Sequence, residues 1–281
     1  MKNASLDVAR RAPIVVITGG KGGVGKTMLA VNAALAVAHR GRRTLLVDLD
    51  LGLADVGVLL GRAPAHTLED VLLSGLDPRE AIVTVEANLD VLCGSSGTTR
   101  MAELAPFERA RLVGTLKQLA VHYDLVLCDG AAGIGADALS FCAVADHVVL
   151  VTTPDPAALT DAYGLMKALD SFGEQTGREI PTPEVIVNRA ASLEEADSVA
   201  TKLRAVCERF LSRSPKSAGW LPASGLVELA CRLQKPFAAD SAGLSSAQGL
   251  LQGCLGRLAS RLERLCPNRE TVATCSRVSA S

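Results

Sequence analysis

"VVITGGKGGVGKTMLAV", residues 15–31, runs from an apolar stretch into glycines, passes two lysines and resumes as a helix-like pattern. The inner part, Gly20, Lys21, Gly22, Gly23, Val24, Gly25, Lys26 and Thr27, matches GxxxxGK[ST] in full. It follows a strand pattern, Pro13–Thr18, and opens a helix pattern, Thr27–His39, which is the context the motif requires. Glycines let the backbone curl until its N–H groups point at phosphate oxygens. The helix that starts there adds its positive end. Lys26 supplies a charge for the β- and γ-phosphates, and Thr27 offers a hydroxyl to Mg²⁺. ATP and Mg²⁺ are therefore the expected ligands. Lys21, five residues before Lys26, has no place in that pattern and needs a separate account.

Outward from the loop, apolar runs alternate with amphipathic ones. Strands are expected at Thr44–Asp48, Leu89–Cys93, Leu125–Asp129, His147–Thr152, Glu184–Asn188 and Ala218–Pro222. Helices are expected at Arg109–Val121, Ala136–Ala145, Pro156–Phe172 and Ala191–Leu211, then at about 224–234 and 244–265. Strands separated by helices of this length imply an α/β, doubly wound, mostly parallel sheet with helices on both faces. Hydrophobic residues make up 48% of the chain and aromatics only 3%, so its core must be aliphatic, as suits such a sheet. No linker splits the chain. One domain is expected over 13–265, between a flexible segment 1–12 and a disordered tail 266–281.

A phosphate loop needs an acid for its metal. LVLCD, residues 125–129, ends a strand in Asp129, which would lie at the carboxyl edge beside the phosphates and hold Mg²⁺ through water. LLVDLD, residues 45–50, ends another strand in two acids. Alternation points Asp48 and Asp50 the same way, so both are expected to face the γ-phosphate. One can orient an attacking water while the other supports the metal shell, again through water.

The bulk numbers exclude some classes. The net charge of −1, with no basic block, gives no support for nonspecific DNA binding. The eight cysteines, at 93, 128, 142, 207, 231, 254, 266 and 275, form no CxxC and no zinc spacing, so most are expected to be buried apolar residues. Residues 1–13 are polar and no apolar run reaches the roughly 20 residues of a membrane span, so the chain is expected in the cytoplasm. The last helix has leucines on one face, with Arg257, Arg261 and Arg264 elsewhere. That pattern suits a helix packed on the sheet and also one lying on an anionic membrane.

KGGVGKT, with its extra lysine, resembles the deviant Walker A motif of the MinD/ParA ATPases. Within that family, DLDLGLADVGVLLG (48–61), DGAAGIGADALSF (129–141) and TTPDPAALTDAYGLMKAL (152–169) are most similar to the flagellar-number regulators, the FlhG/FleN group. The resemblance implies a P-loop fold of the SIMIBI, MinD-like kind. It implies a slow ATPase that closes into a homodimer around ATP, with Lys21 crossing to the partner's nucleotide. By the same match Asp50 is the hydrolytic aspartate, Asp129 the metal residue and Asn188 an adenine contact. Catalysis would fall to Asp50, Lys21 and Lys26. Implied partners are a FleQ-like flagellar transcriptional activator, the GTPase FlhF or flagellar switch proteins, at the inner membrane or cell pole, with residues 244–265 as a membrane contact. The alternative is a partitioning or positioning ATPase acting on DNA or membrane cargo. This chain departs from the group's pattern at Gly130, where Thr is usual, and at Asp55, Gly57 and Ser224. Its N-terminal residues lack the segment that activates FlhF in many relatives.

Overall fold

The computed structural model describes residues 11–52, 54–95, 104–239 and 246–267. The expected flexible segment and tail fall largely outside these. The two residues of the front segment that are described are held in place: Arg11 forms a two-pronged bond to Asp146, and Ala12 is buried.

Eight strands form one sheet: β1 (Ile14–Gly19), β2 (Thr44–Leu49), β3 (Ile82–Glu86), β4 (Leu89–Leu92), β5 (Leu125–Ala132), β6 (His147–Thr152), β7 (Glu184–Ala190) and β8 (Ser217–Pro222). Their order is β3-β4-β2-β5-β1-β6-β7-β8. Every neighbouring pair is parallel except β3 with β4. β3 is the strand that the sequence reading misses. It sits at an edge, half exposed, and returns to β4 through Asn88, which takes the left-handed conformation at φ 63°.

The helices are α1 (Lys26–Ala38), a single turn α2 (Val56–Leu59), α3 (Pro106–Leu119), α4 (Ala136–Cys142), α5 (Pro156–Thr176), α6 (Leu193–Leu211), α7 (Gly225–Leu233) and α8 (Ser246–Glu263). They cover both faces, because successive side chains of a central strand point to opposite sides. In β1, Ile14 and Val16 join one core with α3, α4, α5 and α6. Val15 and Ile17 join a second core with α1 and α8.

The apolar face of α8 is spent on that second core. Leu251, Cys254, Leu255, Leu258 and Leu262 are all buried, and the helix rests on α1 and β8. Of the two readings of this helix, the packed one holds. Among the side chains described in the span expected as a membrane contact, Leu250 is the one leucine left exposed. No helix of the described residues is long and apolar enough to cross a membrane.

Candidate functional site

The phosphate-loop residues occupy the turn from β1 into α1, at the carboxyl end of the sheet's central strand. Gly25 caps α1 at φ 95°, and a Cβ there would lie 2.4 Å from Nδ2 of Asn188. Backbone conformation and close approach both demand glycine at this point. Asn188, at the end of β7, donates from that nitrogen to the carbonyl of Val24 at 2.8 Å. Strand β7 thus braces the loop from the side. On the other side Gly20 packs against the backbone of Asp161 in α5.

A cavity of about 720 Å³ opens in front of the loop. Gly22, Gly23, Gly25, Lys26, Thr27, Asp50 and Asn188 line it at one end. Arg189, Pro222, Ser224 and, from α7, Val227, Glu228 and Cys231 also line it. Most of the expected site residues are therefore gathered at one place. Sequence reasoning missed Arg189 and Glu228, which also line the cavity. Arg189 adjoins the singled-out Asn188 in sequence, and Glu228 follows Ser224 by one helical turn, and those positions are the signals that could have found them.

Lys26 is 7% exposed and Asp129 is 1% exposed. Among the described residues neither oxygen of Asp129 has a well-aligned hydrogen-bond partner, and the Thr27 hydroxyl is the donor near it. Burial, then the neighbouring carboxylate of Asp48, pushes the Asp129 carboxyl far above the usual range, while Thr27 and Lys26 pull it back. A buried acid without a well-aligned donor is costly unless a cation or an ordered water meets it. Mg²⁺ with its water shell fits this requirement, with Thr27 on the same side.

Asp48 does not stand where alternation had put it. It pairs in register with Asp129 across β2 and β5, but both its oxygens accept backbone bonds, from Asp50 at 3.1 Å and Val56 at 3.0 Å. Strand β2 stops at Leu49, and the chain folds back over the carboxylate. Asp48 is fully buried and does not line the cavity. Its two backbone bonds shape the turn that presents Asp50. Burial pushes the Asp48 carboxyl up as well.

Lys21 also lies outside the cavity lining. Its Nζ sits 3.0 Å from Asp155, the N-cap of α5, and both side chains are about half exposed. The lysine's hydrogen bond holds the Asp155 carboxyl below its usual range. Gly130 lies on β5 where a Cβ would come within 2.9 Å of the Ile17 carbonyl and 3.2 Å of a Val16 methyl.

Fold and loop together define the class, a P-loop α/β protein with its ligand cavity at the carboxyl edge of a parallel sheet. Residues 12–181 match the family model described as an AAA domain, AAA_31. The chain is 37% identical over 222 residues to the antiactivator FleN of Pseudomonas aeruginosa, spanning 79% of this chain and 78% of that one. It is 33% identical over 153 residues to the flagellum site-determining protein YlxH of Helicobacter pylori, spanning 54% and 52%. Among solved structures, the cell division ATPase MinD of Pyrococcus furiosus matches with a TM-score of 0.72 and 26% identity, over 91% of this chain and 100% of that one. The chain belongs to this family: it is a MinD/ParA-type ATPase close to FleN.

Proposed function

We propose that the chain binds ATP with Mg²⁺ in the 720 Å³ cavity, closes into a homodimer across that face, and regulates flagellar number by holding a flagellar activator or assembly protein until hydrolysis releases it. The observation that carries the nucleotide reading is a buried lysine, Lys26, in the glycine-lined wall of the cavity, with a buried acid, Asp129, behind that wall, whose charge Thr27 and Lys26 stabilise. The flagellar reading rests on the likeness to FleN and YlxH.

The roles follow from position. Backbone N–H groups of residues 20–27 cradle the phosphates, and Lys26 neutralises the β- and γ-oxygens. Thr27 and Asp129 are the residues that would hold Mg²⁺, and the ion would supply positive charge to offset what develops on the phosphates. Asp50, presented by the Asp48 turn, orients the attacking water. Asn188 has its Nδ2 on the loop and its Oδ1 accepting from the N–H of Arg189, so it braces the phosphate end and borders the base. Lys21 points out of its own cavity into an exposed, water-screened pair, which leaves it exchangeable for a partner's phosphates.

Calorimetry and sedimentation with ATP and Mg²⁺ test the reading. Lys26→Ala should lose detectable ATP binding. Lys21→Ala should bind ATP as a monomer, fail to form the ATP-dependent dimer and turn over slowly. Near wild-type affinity in the first variant would sink the nucleotide assignment. A normal dimer with normal turnover in the second would remove Lys21 from the mechanism.

A further inference from the structure

A second cavity, of about 490 Å³, lies on the opposite side of α7 from the nucleotide cavity. Its floor is apolar and belongs to the core: Leu35 of α1 and Leu251 of α8 are 2% exposed, with Phe237 beside them. Its wall is the outer stripe of α7, Leu226, Leu229, Ala230 and Leu233, spaced as one face of a helix. Leu229 and Leu233 remain 50% and 57% exposed. On α7 only Ala230 is buried. A helix that shows its leucines to water beside an apolar trough has an unfilled partner position.

Three exposed cations lie in the groove or in segments bordering it, Lys235 among the lining residues and Arg232 and Arg62 beside them in the chain. Arg232 sits in the last turn of α7, and Arg62 follows Gly61, which lies beside Gln234. None of the three forms an ion pair with a described residue. One acid, Glu86, also lines the groove, with the His39 imidazole 3.0 Å away, which offsets its charge only when protonated. In a chain whose net charge is −1, this local excess of positive charge stands out. Glu228, on the same helix, faces the nucleotide cavity instead.

We infer that this groove docks an amphipathic helix of a partner protein, with leucine-like side chains at i, i+4 and i+7 in the trough and carboxylates on its flanks meeting Arg62, Arg232 and Lys235. The inference goes beyond the nucleotide reading and does not depend on it. A concave trough takes a narrow apolar ridge, whereas a lipid surface is met by protruding side chains. A second copy docked on the same face about a two-fold axis would set the three cations against themselves. An acidic amphipathic helix satisfies both the apolar floor and the three cations.

The test uses the full chain and a fluorescein-labelled, stapled helical peptide with leucines at i, i+4 and i+7 flanked by glutamates, read by anisotropy. Wild type should bind it saturably at one site. The double variant Leu229→Ser, Leu233→Ser should bind about tenfold more weakly, with an unchanged melting temperature, because both positions are already half in water. Lys235→Glu should weaken binding about threefold, as should exchanging the peptide's glutamates for lysines. Absence of saturable binding to wild type up to about 1 mM overturns the inference. So does equal binding by the serine variant, or indifference to the peptide's charge. A wild-type dimer lost in the serine variant would assign the groove to a second copy instead. Flotation with phosphatidylglycerol vesicles, lost in the same variant, would assign it to lipid.

Discussion

The two C-terminal helices, α7 and α8, carry similar leucine stripes and meet opposite fates. In α8 the stripe is sealed against α1 and β8, and Leu255 is 1% exposed. In α7 it stays open, with Leu229 at 50%. The sequence leaves the leucine face of α8 open to two readings, packed on the sheet or laid on a membrane, and singles out no apolar face on α7. An amphipathic pattern says that a face is apolar; it does not say what covers it. Cover is decided by the strands and helices brought alongside, and α8 closes one face of the sheet whereas α7 stands at the lip of two cavities.

The comparison is sharpened most by Leu255→Ala. Removing a sealed side chain should cost about 2–5 kcal/mol, measured as a lower denaturant midpoint at unchanged slope. Arg261→Ala comes next. Its bond to Glu184 ties α8 to β7, both side chains are 31% exposed, and solvent screening limits the loss to about 1 kcal/mol or less. Leu229→Ser should change stability least, by within about 0.5 kcal/mol. A loss at Leu229 as large as that at Leu255 would break the comparison, since it would mean that α7 is held by its outer stripe.

Much of the fold was legible because its signals are local. The phosphate loop is written in residue types that its backbone needs, as Gly25 at φ 95° shows. His147–Thr152 emerges with the expected ends, because a buried parallel strand is a bounded apolar run. β3 was lost because an edge strand is half exposed and reads as a mixed stretch, although the alternation IVTVE and the left-handed Asn88 were both present. The site was legible in its membership and less so in its orientation. Asp48 and Asp50 share a strand-like spacing, yet the strand ends between them, and no pattern foretold that backbone amides of Asp50 and Val56 would claim the first acid. Nor could spacing show that Lys21 lies on Asp155, which is distant in sequence.

Gly130 has a consequence of another kind. The Ile17 carbonyl and Val16 pack so close to it that even one added carbon must displace backbone. A larger residue placed there alone would press β1 away from β5 just below the phosphate loop. Trimming Val16 would not make room, because the nearest atom, the Ile17 carbonyl oxygen at 2.9 Å, belongs to the backbone of the strand that carries the phosphate loop.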